Sequence, residues 1–198
     1  MLNKSTRTRQ HIIEKAAPFF NKKGYADTSL MNIVEATGLT KGAIYGHFDN
    51  KDDLAFKVFE FNLQQLNDGL NRYINNPEDA IGKLFAMIDF YRKEYKHIAE
   101  RGGCPLLNAS MEADDNFPAL KVKVKAAIRQ WKKTIVNLIE KAKEEKTVQR
   151  KTSAEHYASL FIAMIEGGVM LAKALDDPSK LYNILDHADQ IIETELKM

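Results

Sequence analysis

The stretch from residue 29 to residue 48 holds the side chains whose types and spacing best match a chemical task, the binding of a polyanion. Lys41 brings a positive charge, and Tyr45 and His47 bring hydrogen-bond donors to the same short segment. Thr40 precedes them and is a typical helix N-cap, so the helix amides and dipole would face outward, where they favour phosphate. The pattern indicates contact with DNA phosphates and base edges. An ordinary helical hairpin with a solvated face has the same spacing and remains an alternative.

A helix-turn-helix is the local structure that these residues predict. Ser29 can cap a first helix, Gly38 supplies a tight or left-handed turn, and Thr40 caps a very short second helix. Gly42 has no side chain, so the backbone can approach the floor of a DNA groove. The apolar residues expected to hold both helices from behind are Ile33, Val34, Leu39, Ile44 and Phe48.

Helical spacing of apolar residues extends along nearly the whole chain, and no stretch alternates with the period of two that a strand requires. A first helix carries Ile12, Ala16 and Phe20 on one face and should stop at Gly24. Longer helices follow, with apolar stripes over about 56–73, 81–95 and 120–142, the last starting at Asn116-Phe117-Pro118, and two more helices at about 153–175 and 179–196. We predict an all-α protein: an N-terminal three-helix DNA-binding module with the helix-turn-helix (residues 1–50) and a larger C-terminal helical bundle domain (residues 51–198).

Composition places the chain among globular proteins. Of its 198 residues 44% are hydrophobic and 28% charged, which excludes a disordered or fibrous chain, and its one cysteine excludes an internal disulfide. The first 48 residues hold seven Lys and Arg against three acidic residues, although the net charge is only +2. This asymmetry fits a polyanion partner and equally a solvated basic surface. Because we find no secretion signal and no membrane span, we expect a cytoplasmic protein.

An enzyme is the alternative from a different class of function. Cys104 with His97 could form a nucleophile and a base, and Glu94 with His97 matches half of a di-metal carboxylate site. The second Glu-x-x-His that such a metal site needs is missing from the sequence, as are the phosphate-binding and nucleophile-elbow motifs. We therefore expect no catalytic residue, no metal and no cofactor.

The run from Ile33 to Glu60, IVEATGLTKGAIYGHFDNKDDLAFKVFE, resembles the N-terminal signature of the tetracycline-repressor (TetR) family of bacterial regulators. The pattern A-x-G-[LV]-[ST]-x-G-x-[IL]-Y-x-[HY]-F-x-x-K-x-x-L fits from Ala36 to Leu54 without departure. The preceding segment 24–29, GYADTS, is similar to the family's G-[FY]-x-x-[TS]-[TS] lead-in. The resemblance is specific and covers about the first third of the chain.

The resemblance implies a set of DNA contacts. These are Ser29, Thr40, Lys41, Gly42, Tyr45, His47 and Lys51. Thr40, Lys41 and Gly42 would reach the major groove, whereas Lys51 would meet the phosphate backbone. The implied function is that of a ligand-responsive repressor, which binds a pseudo-palindromic operator in double-stranded DNA as a dimer and is released by a small effector. A non-sensing architectural DNA-binding protein is the alternative.

The resemblance also assigns the C-terminal helices to homodimerisation and effector binding. Apolar residues occupy nearly every face of the helix near 158–175, as expected for a helix covered by its own domain and by a second chain, and Gly167 and Gly168 suit a close helix crossing. Packing within a single chain is the alternative explanation for the apolar faces of this helix and for its two glycines. The effector is expected to be small and mainly apolar, because Met and aromatic residues are abundant in the body. The residues predicted to line its site are Phe85, Ile88, Tyr91, Cys104, Met111, Trp131 and Met164.

Cys104 stands in an unusual stretch, Arg101-Gly102-Gly103-Cys104-Pro105, that interrupts the helical pattern. Its place before a predicted helix start would stabilise a thiolate, which favours a reactive thiol that senses oxidants or electrophiles. A small, buried, apolar residue in a turn is the other interpretation of Cys104.

Overall fold

The computed structural model describes residues 3–113 and 117–198, so the predicted helix start at Asn116 lies outside the described residues. Within those ranges the chain is helical and contains no strand; an isolated antiparallel bridge joins Val148 to Lys197. The helices are α1 (Lys4–Asp27), α2 (Leu30–Thr37), α3 (Lys41–Tyr45), α4 (Lys51–Ile74), α5 (Ala80–Glu100), α6 (Pro105–Ala113), α7 (Pro118–Glu144), α8 (Ala154–Ala174) and α9 (Ser179–Ile191), followed by a π-helical turn (Ile192–Leu196). The predicted all-α class is confirmed.

Two compact units make up the chain. The first comprises residues 1–66 and 101–124, and the second comprises residues 67–100 and 125–198. The segment that contains α6 therefore joins the N-terminal helices, although it follows α5 in sequence. The predicted division at residue 50 concerns function rather than packing and stays a prediction.

The first unit is built on one small apolar core. The buried residues that form it are Ile12, Ile13, Ala16, Ala17, Ile33, Ile44, Phe48, Leu54 and Val58, with Leu30, Val34 and Leu39 packed partly buried against them. All five apolar residues predicted to support the helix-turn-helix thus contact this core. Burial of these side chains stabilises three helices that are too short or too polar to be stable alone.

Local capping fixes where the N-terminal helices begin and end. The Ser29 hydroxyl accepts a hydrogen bond from the Asn32 amide (3.2 Å), the Thr40 hydroxyl accepts from the Ala43 amide (3.2 Å), and the Asn50 side chain accepts from the Asp53 amide (2.8 Å). Gly38 closes α2 in the left-handed region (φ 67°). The predicted caps at Ser29 and Thr40 and the predicted turn at Gly38 are confirmed, because they depend on residues only a few positions apart.

In the second unit α8 and α9 pack closely. Gly168 lies where they meet: a Cβ atom there would come 2.7 Å from Leu181 Cδ1, and Leu181 is fully buried. Gly167 has open space at the corresponding position. The close crossing that Gly168 permits is therefore between two helices of one chain, which was the intramolecular alternative.

A charged cluster joins α5 to α9 in the same unit. Arg92 donates hydrogen bonds to Asp186 (3.0 Å) and to Asp189 (2.6 Å), and Asp89 lies 3.7 Å from the same guanidinium. The Arg92 side chain is largely buried, so these charge-assisted hydrogen bonds are less screened by solvent and salt than those of an exposed pair. Arg92 thus fixes α9 against α5 at the edge of the apolar core.

The Gly168 crossing yields a stability prediction. Gly168→Val should lower the free energy of unfolding by about 1–3 kcal/mol, because the added methyl groups overpack the contact with Leu181. Gly167→Val is the matched control and should change it by less than about 0.5 kcal/mol at a position with open space. Urea unfolding followed by circular dichroism measures both; equal losses would contradict the assignment of the crossing.

Candidate nucleic-acid interface

The short helix α3 presents the predicted DNA contacts to solvent. Thr40, Lys41, Gly42 and Tyr45 are exposed, whereas Ile44 on the opposite side is 1% exposed. This division follows from the sequence, since Ile44, the one large aliphatic residue of the helix, faces the core and the polar residues have nothing to bury them. The exposed face can therefore offer a cation and hydrogen-bond donors to a partner.

Gly42 lies at the centre of this face and is open. A Cβ atom built on Gly42 would meet nothing within 4 Å, so the chain itself does not require glycine at this position. Beside it, the Lys41 ammonium lies 5.9 Å from the centroid of the Tyr45 ring, within the range of a weak cation–π contact. The Lys41 ammonium and the Tyr45 phenol therefore lie close together, next to the exposed backbone of Gly42.

The end of α3 is held from behind by the N-terminal helix. Phe48 is 3% exposed, and the Arg9 guanidinium lies 4.6 Å from the centroid of its ring. The Arg9 Nε also donates to the His47 carbonyl oxygen at 3.4 Å. The His47 backbone thus contacts α1 through Arg9, and the residue as a whole is half-buried.

Ser29 is exposed and serves α2 as a cap. Besides accepting from the Asn32 amide, its hydroxyl donates to Asn32 Oδ1 at 3.0 Å, and Asn32 Oδ1 accepts from the Ser29 amide at 3.1 Å. This reciprocal capping box fixes the start of α2. A phosphate contact from Ser29 is compatible with that role but stays a prediction.

Lys51, at the start of α4, is half-buried and directed toward the end of α1. Its ammonium donates to the Ala26 carbonyl oxygen at 3.3 Å and lies 4.4 Å from the centroid of the Tyr25 ring. To bind a phosphate, Lys51 must exchange these contacts. Its predicted role at the DNA backbone remains untested.

Tyr25 connects three helices of the first unit. Its hydroxyl donates to Asp52 on α4, and its ring lies 4.5 Å, centroid to centroid, from that of Phe117, just before α7. Phe117 in turn stacks on Phe56 of α4 at 5.0 Å. Burial, with a smaller contribution from the bonded Asp52 carboxylate, raises the pKa of Tyr25 to about 12. The phenol therefore stays a hydrogen-bond donor throughout the physiological range.

A pair of asparagines fastens the end of α1 to the glycine loop and α6. Asn21 Nδ2 donates to the carbonyl oxygens of Arg101 (2.7 Å) and Gly103 (3.0 Å). Asn108 Nδ2 donates to the Asn21 carbonyl oxygen (3.0 Å) and to that of Gly102 (2.9 Å). We call Asn21, Asn108 and the loop 101–103 the asparagine latch.

Glycine is required on both sides of the asparagine latch. Gly102 has φ 102°, and a Cβ atom there would come 2.8 Å from the Asn21 carbonyl oxygen. Gly24 has φ 85° and interrupts α1, which frees the Tyr25 amide to donate to Glu112 of α6 at 2.5 Å. The predicted stop at Gly24 is thus a kink followed by one more turn. The latch residues and Glu112 are functional candidates that the sequence analysis missed.

The residues predicted to line an effector site are divided between the two units. Phe85, Ile88, Tyr91, Trp131 and Met164 belong to the second unit, and Cys104 and Met111 to the first. Within the second, the ring centroids of Tyr91 and Trp131 lie 6.0 Å apart, and Tyr91 is 1% exposed. In the first, Met111 is 78% exposed, while Cys104 is 1% exposed. The burial of Cys104 favours a packing role, because a thiol must be reachable to be modified. The lining set as a whole stays a prediction.

The residues considered for catalysis have other partners. The Glu94 carboxylate accepts a hydrogen bond from the Tyr73 hydroxyl at 2.9 Å, and His97, which is exposed, lies 3.5 Å from Glu100. Over residues 3–113 and 117–198 we find no group of three or more His, Cys, Asp or Glu residues arranged to hold a metal ion.

The asparagine latch yields a second prediction. Asn108→Ala should lower the free energy of unfolding by about 1–3 kcal/mol, because the Asn21 and Gly102 carbonyl oxygens lose their donor in a partly buried site. Ser110→Ala, on the same helix, removes only a hydroxyl that bonds to the Leu106 carbonyl, and should change it by less than about 0.5 kcal/mol. Equal stability of the two variants in thermal or urea unfolding would show that the latch does not hold α6.

Comparison with known proteins agrees with this architecture. The family model described as bacterial regulatory proteins, tetR family, matches residues 12–58, which include the helix-turn-helix. A second model, described as the tetracyclin repressor-like C-terminal domain, matches residues 80–188, more than half of the chain. Similar curated proteins include the HTH-type transcriptional repressor DhaR of Mycobacterium sp. (strain GP1), 25% identical over 85% of this chain and 83% of its own length. Another is the HTH-type transcriptional regulator TtgR of Pseudomonas putida, 27% identical over 96% of this chain and 90% of its own.

Solved structures extend the similarity over the full length. A TetR transcriptional regulator from Chloroflexus aurantiacus superposes with a TM-score of 0.95 at 31% identity, covering 100% of both chains. A TetR-family regulator from Cytophaga hutchinsonii gives a TM-score of 0.91 at 34% identity, covering 100% of this chain and 98% of its own. With two family models and full-length relatives in agreement, the chain belongs to the TetR family of transcriptional regulators.

Proposed function

We propose that this protein is a ligand-responsive repressor that acts in the bacterial cytoplasm. It binds a pseudo-palindromic operator as a homodimer, and a small, mainly apolar effector releases it. Residues 1–50 form the DNA-binding module and residues 51–198 the ligand-binding and dimerisation domain, a functional division that agrees with the two family matches at 12–58 and 80–188.

The observation that carries the DNA proposal is the open backbone at Gly42. The exposed side of α3 offers the Lys41 ammonium and the Tyr45 hydroxyl beside a residue with free space where a side chain would stand. A major groove accepts a helix whose backbone can approach base edges closely. Thr40, Gly42 and Lys41 are therefore proposed to contact bases, with Tyr45, His47, Ser29 and Lys51 at the groove edge and phosphates.

The start of the chain adds positive charge to the same unit. Lys4 and Arg7 are exposed on the first two turns of α1, and Arg9 supports Phe48 and His47 on the inner side. Exposed cations bind phosphates without reading sequence. We assign Lys4 and Arg7 to this non-specific contribution.

Dimerisation is proposed to use the outer face of α8. By length and composition α8 is apolar enough to cross a membrane, a test that core helices of globular proteins also pass, yet only 33% of its most apolar window is buried within the chain. Met170, Leu171 and Leu175 are 50%, 38% and 58% exposed. An exposed apolar face of this kind marks an interaction surface, and a second copy of the chain can bury it in a twofold-symmetric interface.

Transmission of the effector signal is proposed to use α6 as well as α4. The α6 segment lies within the C-terminal family match but packs with α1 through the asparagine latch and Glu112. Tyr25 and Phe117 tie the same end of α1 to α4. A ligand that favours one arrangement of α6 would therefore act on the helices that support α3. A hundredfold loss of operator affinity requires a coupling of about 2.7 kcal/mol.

The DNA interface is tested by Gly42→Ala, which should change stability and DNA binding in opposite directions. The free energy of unfolding should rise by about 0.5–1 kcal/mol, since alanine favours helix and has space. Operator affinity should fall about tenfold or more, because the added methyl group would keep the α3 backbone away from the floor of the DNA major groove. Fluorescence anisotropy with operator DNA, taken from the upstream region of the protein's own gene, measures binding.

Lys41→Ala and Lys96→Ala form a matched pair for the same assay. Both remove one exposed lysine charge, but only Lys41 lies on α3. Lys41→Ala should weaken operator binding by about 1–3 kcal/mol, and Lys96→Ala should leave it unchanged. Normal binding by both Gly42→Ala and Lys41→Ala would mean that α3 is not the recognition helix.

The dimer is tested by Met170→Glu. A carboxylate buried in an apolar interface is costly, so the variant should dissociate to monomers at micromolar concentration, where the unaltered chain stays dimeric in sedimentation velocity. Val122→Glu is the control, because Val122 is an exposed apolar residue on α7. A monomeric unaltered chain would remove the dimer proposal, and dissociation by both variants would remove α8 as its site.

A further inference from the structure

The Trp131 side chain in the second unit carries a buried hydrogen-bond donor without an acceptor in the described part of the chain. The indole nitrogen of Trp131, on α7, is buried with essentially no solvent contact, and no acceptor lies within hydrogen-bonding distance among the described residues. Buried tryptophan N–H groups normally find an acceptor, and each exception calls for an explanation. The rest of the Trp131 side chain is only partly buried, so a small molecule can approach the ring from solvent.

The Trp131 ring belongs to a row of aromatic side chains. Trp131 lies 6.0 Å from Tyr91, Tyr91 lies 5.0 Å from Phe90, and Phe90 lies 5.4 Å from Tyr73, all measured between ring centroids. Phe90 and Tyr91 are 3% and 1% exposed. Trp131 and Tyr73 therefore end a row of four rings, and both ends are partly exposed while the two middle rings are buried. Flat aromatic molecules stack well on such a surface.

We propose that the Trp131 indole N–H recognises an oxygen acceptor on a neutral aromatic effector, with an aryl ketone as the simplest example. This inference rests on the proposed effector-responsive function and specifies the chemistry of its ligand. A neutral carbonyl oxygen costs less to bury than a carboxylate, and the rings next to Trp131 offer it no countercharge.

The closed environment of the nitrogen links recognition to a change of shape. Because water does not reach the atom in this conformation, neighbouring side chains must shift before any acceptor can contact it. A ligand that supplies the acceptor is therefore bound better by the shifted arrangement than by the present one. Such a difference between two states is what an effector needs in order to shift their populations.

Acetophenone and ethylbenzene test the acceptor. They are similar in size, but only acetophenone carries a carbonyl oxygen. Their hydration differs, so the informative quantity is the ratio of their affinities, compared between variants in a cycle. Calorimetric titration of the full-length chain should show that Trp131→Phe lowers the ratio for acetophenone over ethylbenzene about tenfold, equivalent to about 1.4 kcal/mol. Tyr157→Phe also removes one polar group from an aromatic residue, at a surface bond to Glu195, and should leave the ratio unchanged.

A second measurement needs no variant. Trp131 is the only tryptophan, so the unaltered protein gives a single indole N–H resonance in a nitrogen–proton correlation spectrum. Acetophenone should move this proton downfield, as hydrogen bonding does, and ethylbenzene should not. This result stands even where Trp131→Phe fails to fold.

Three results overturn the proposal: an affinity ratio that Trp131→Phe does not change, equal indole shifts with both compounds, or no binding of acetophenone to the unaltered protein. None of these measurements involves DNA. Failure to bind operator would instead overturn the proposed repressor function, so the two failures are distinguishable. Binding of acetophenone without any change in operator affinity would likewise leave the recognition chemistry standing and remove its regulatory role.

Discussion

The burial of Ile44 and Phe48 in one small apolar core is the constraint on which the DNA-binding face depends. A helix of five residues is unstable alone, so α3 exists only because these two side chains pack against α1 and α4. Their burial on one side leaves Lys41, Gly42 and Tyr45 on the other. The core therefore determines both the existence of α3, the proposed recognition helix, and the direction in which it points. Any signal that alters operator affinity must act through the helices that build this core.

Helix α6 is the element that we propose as a route for such a signal. Its sequence belongs to the C-terminal family match, yet its contacts join it to the end of α1. The asparagine latch and the bond between Glu112 and the Tyr25 amide are made to backbone groups freed by glycines at 24 and 102. Because these hydrogen bonds are made to backbone groups, a shift of α6 would displace the backbone at the end of α1. Buried Cys104 lies directly before this helix.

Much of the N-terminal module could be predicted because its determinants are local. Ser29, Thr40 and Asn50 cap helices within three residues, and Gly38 adopts its left-handed turn on its own. The asparagine latch could not be predicted, because Asn21 and Asn108 are 87 positions apart and asparagine has no periodic signature. Gly168 was assigned to a close crossing, but only the structure identifies Leu181 as the partner. The DNA contacts and the effector-lining residues stay predictions, since they depend on molecules other than this chain.

Selection of DNA by the purified protein tests directly whether it binds an inverted repeat as a dimer. Duplexes bound from a random pool are sequenced, and the mass of the complex with the most enriched duplex is then measured. The account predicts an inverted repeat whose half-sites lie about one helical turn apart, roughly 34–36 Å, or more, with at least two chains on each duplex. Enrichment of no sequence, or of a single half-site bound by one chain, would contradict it.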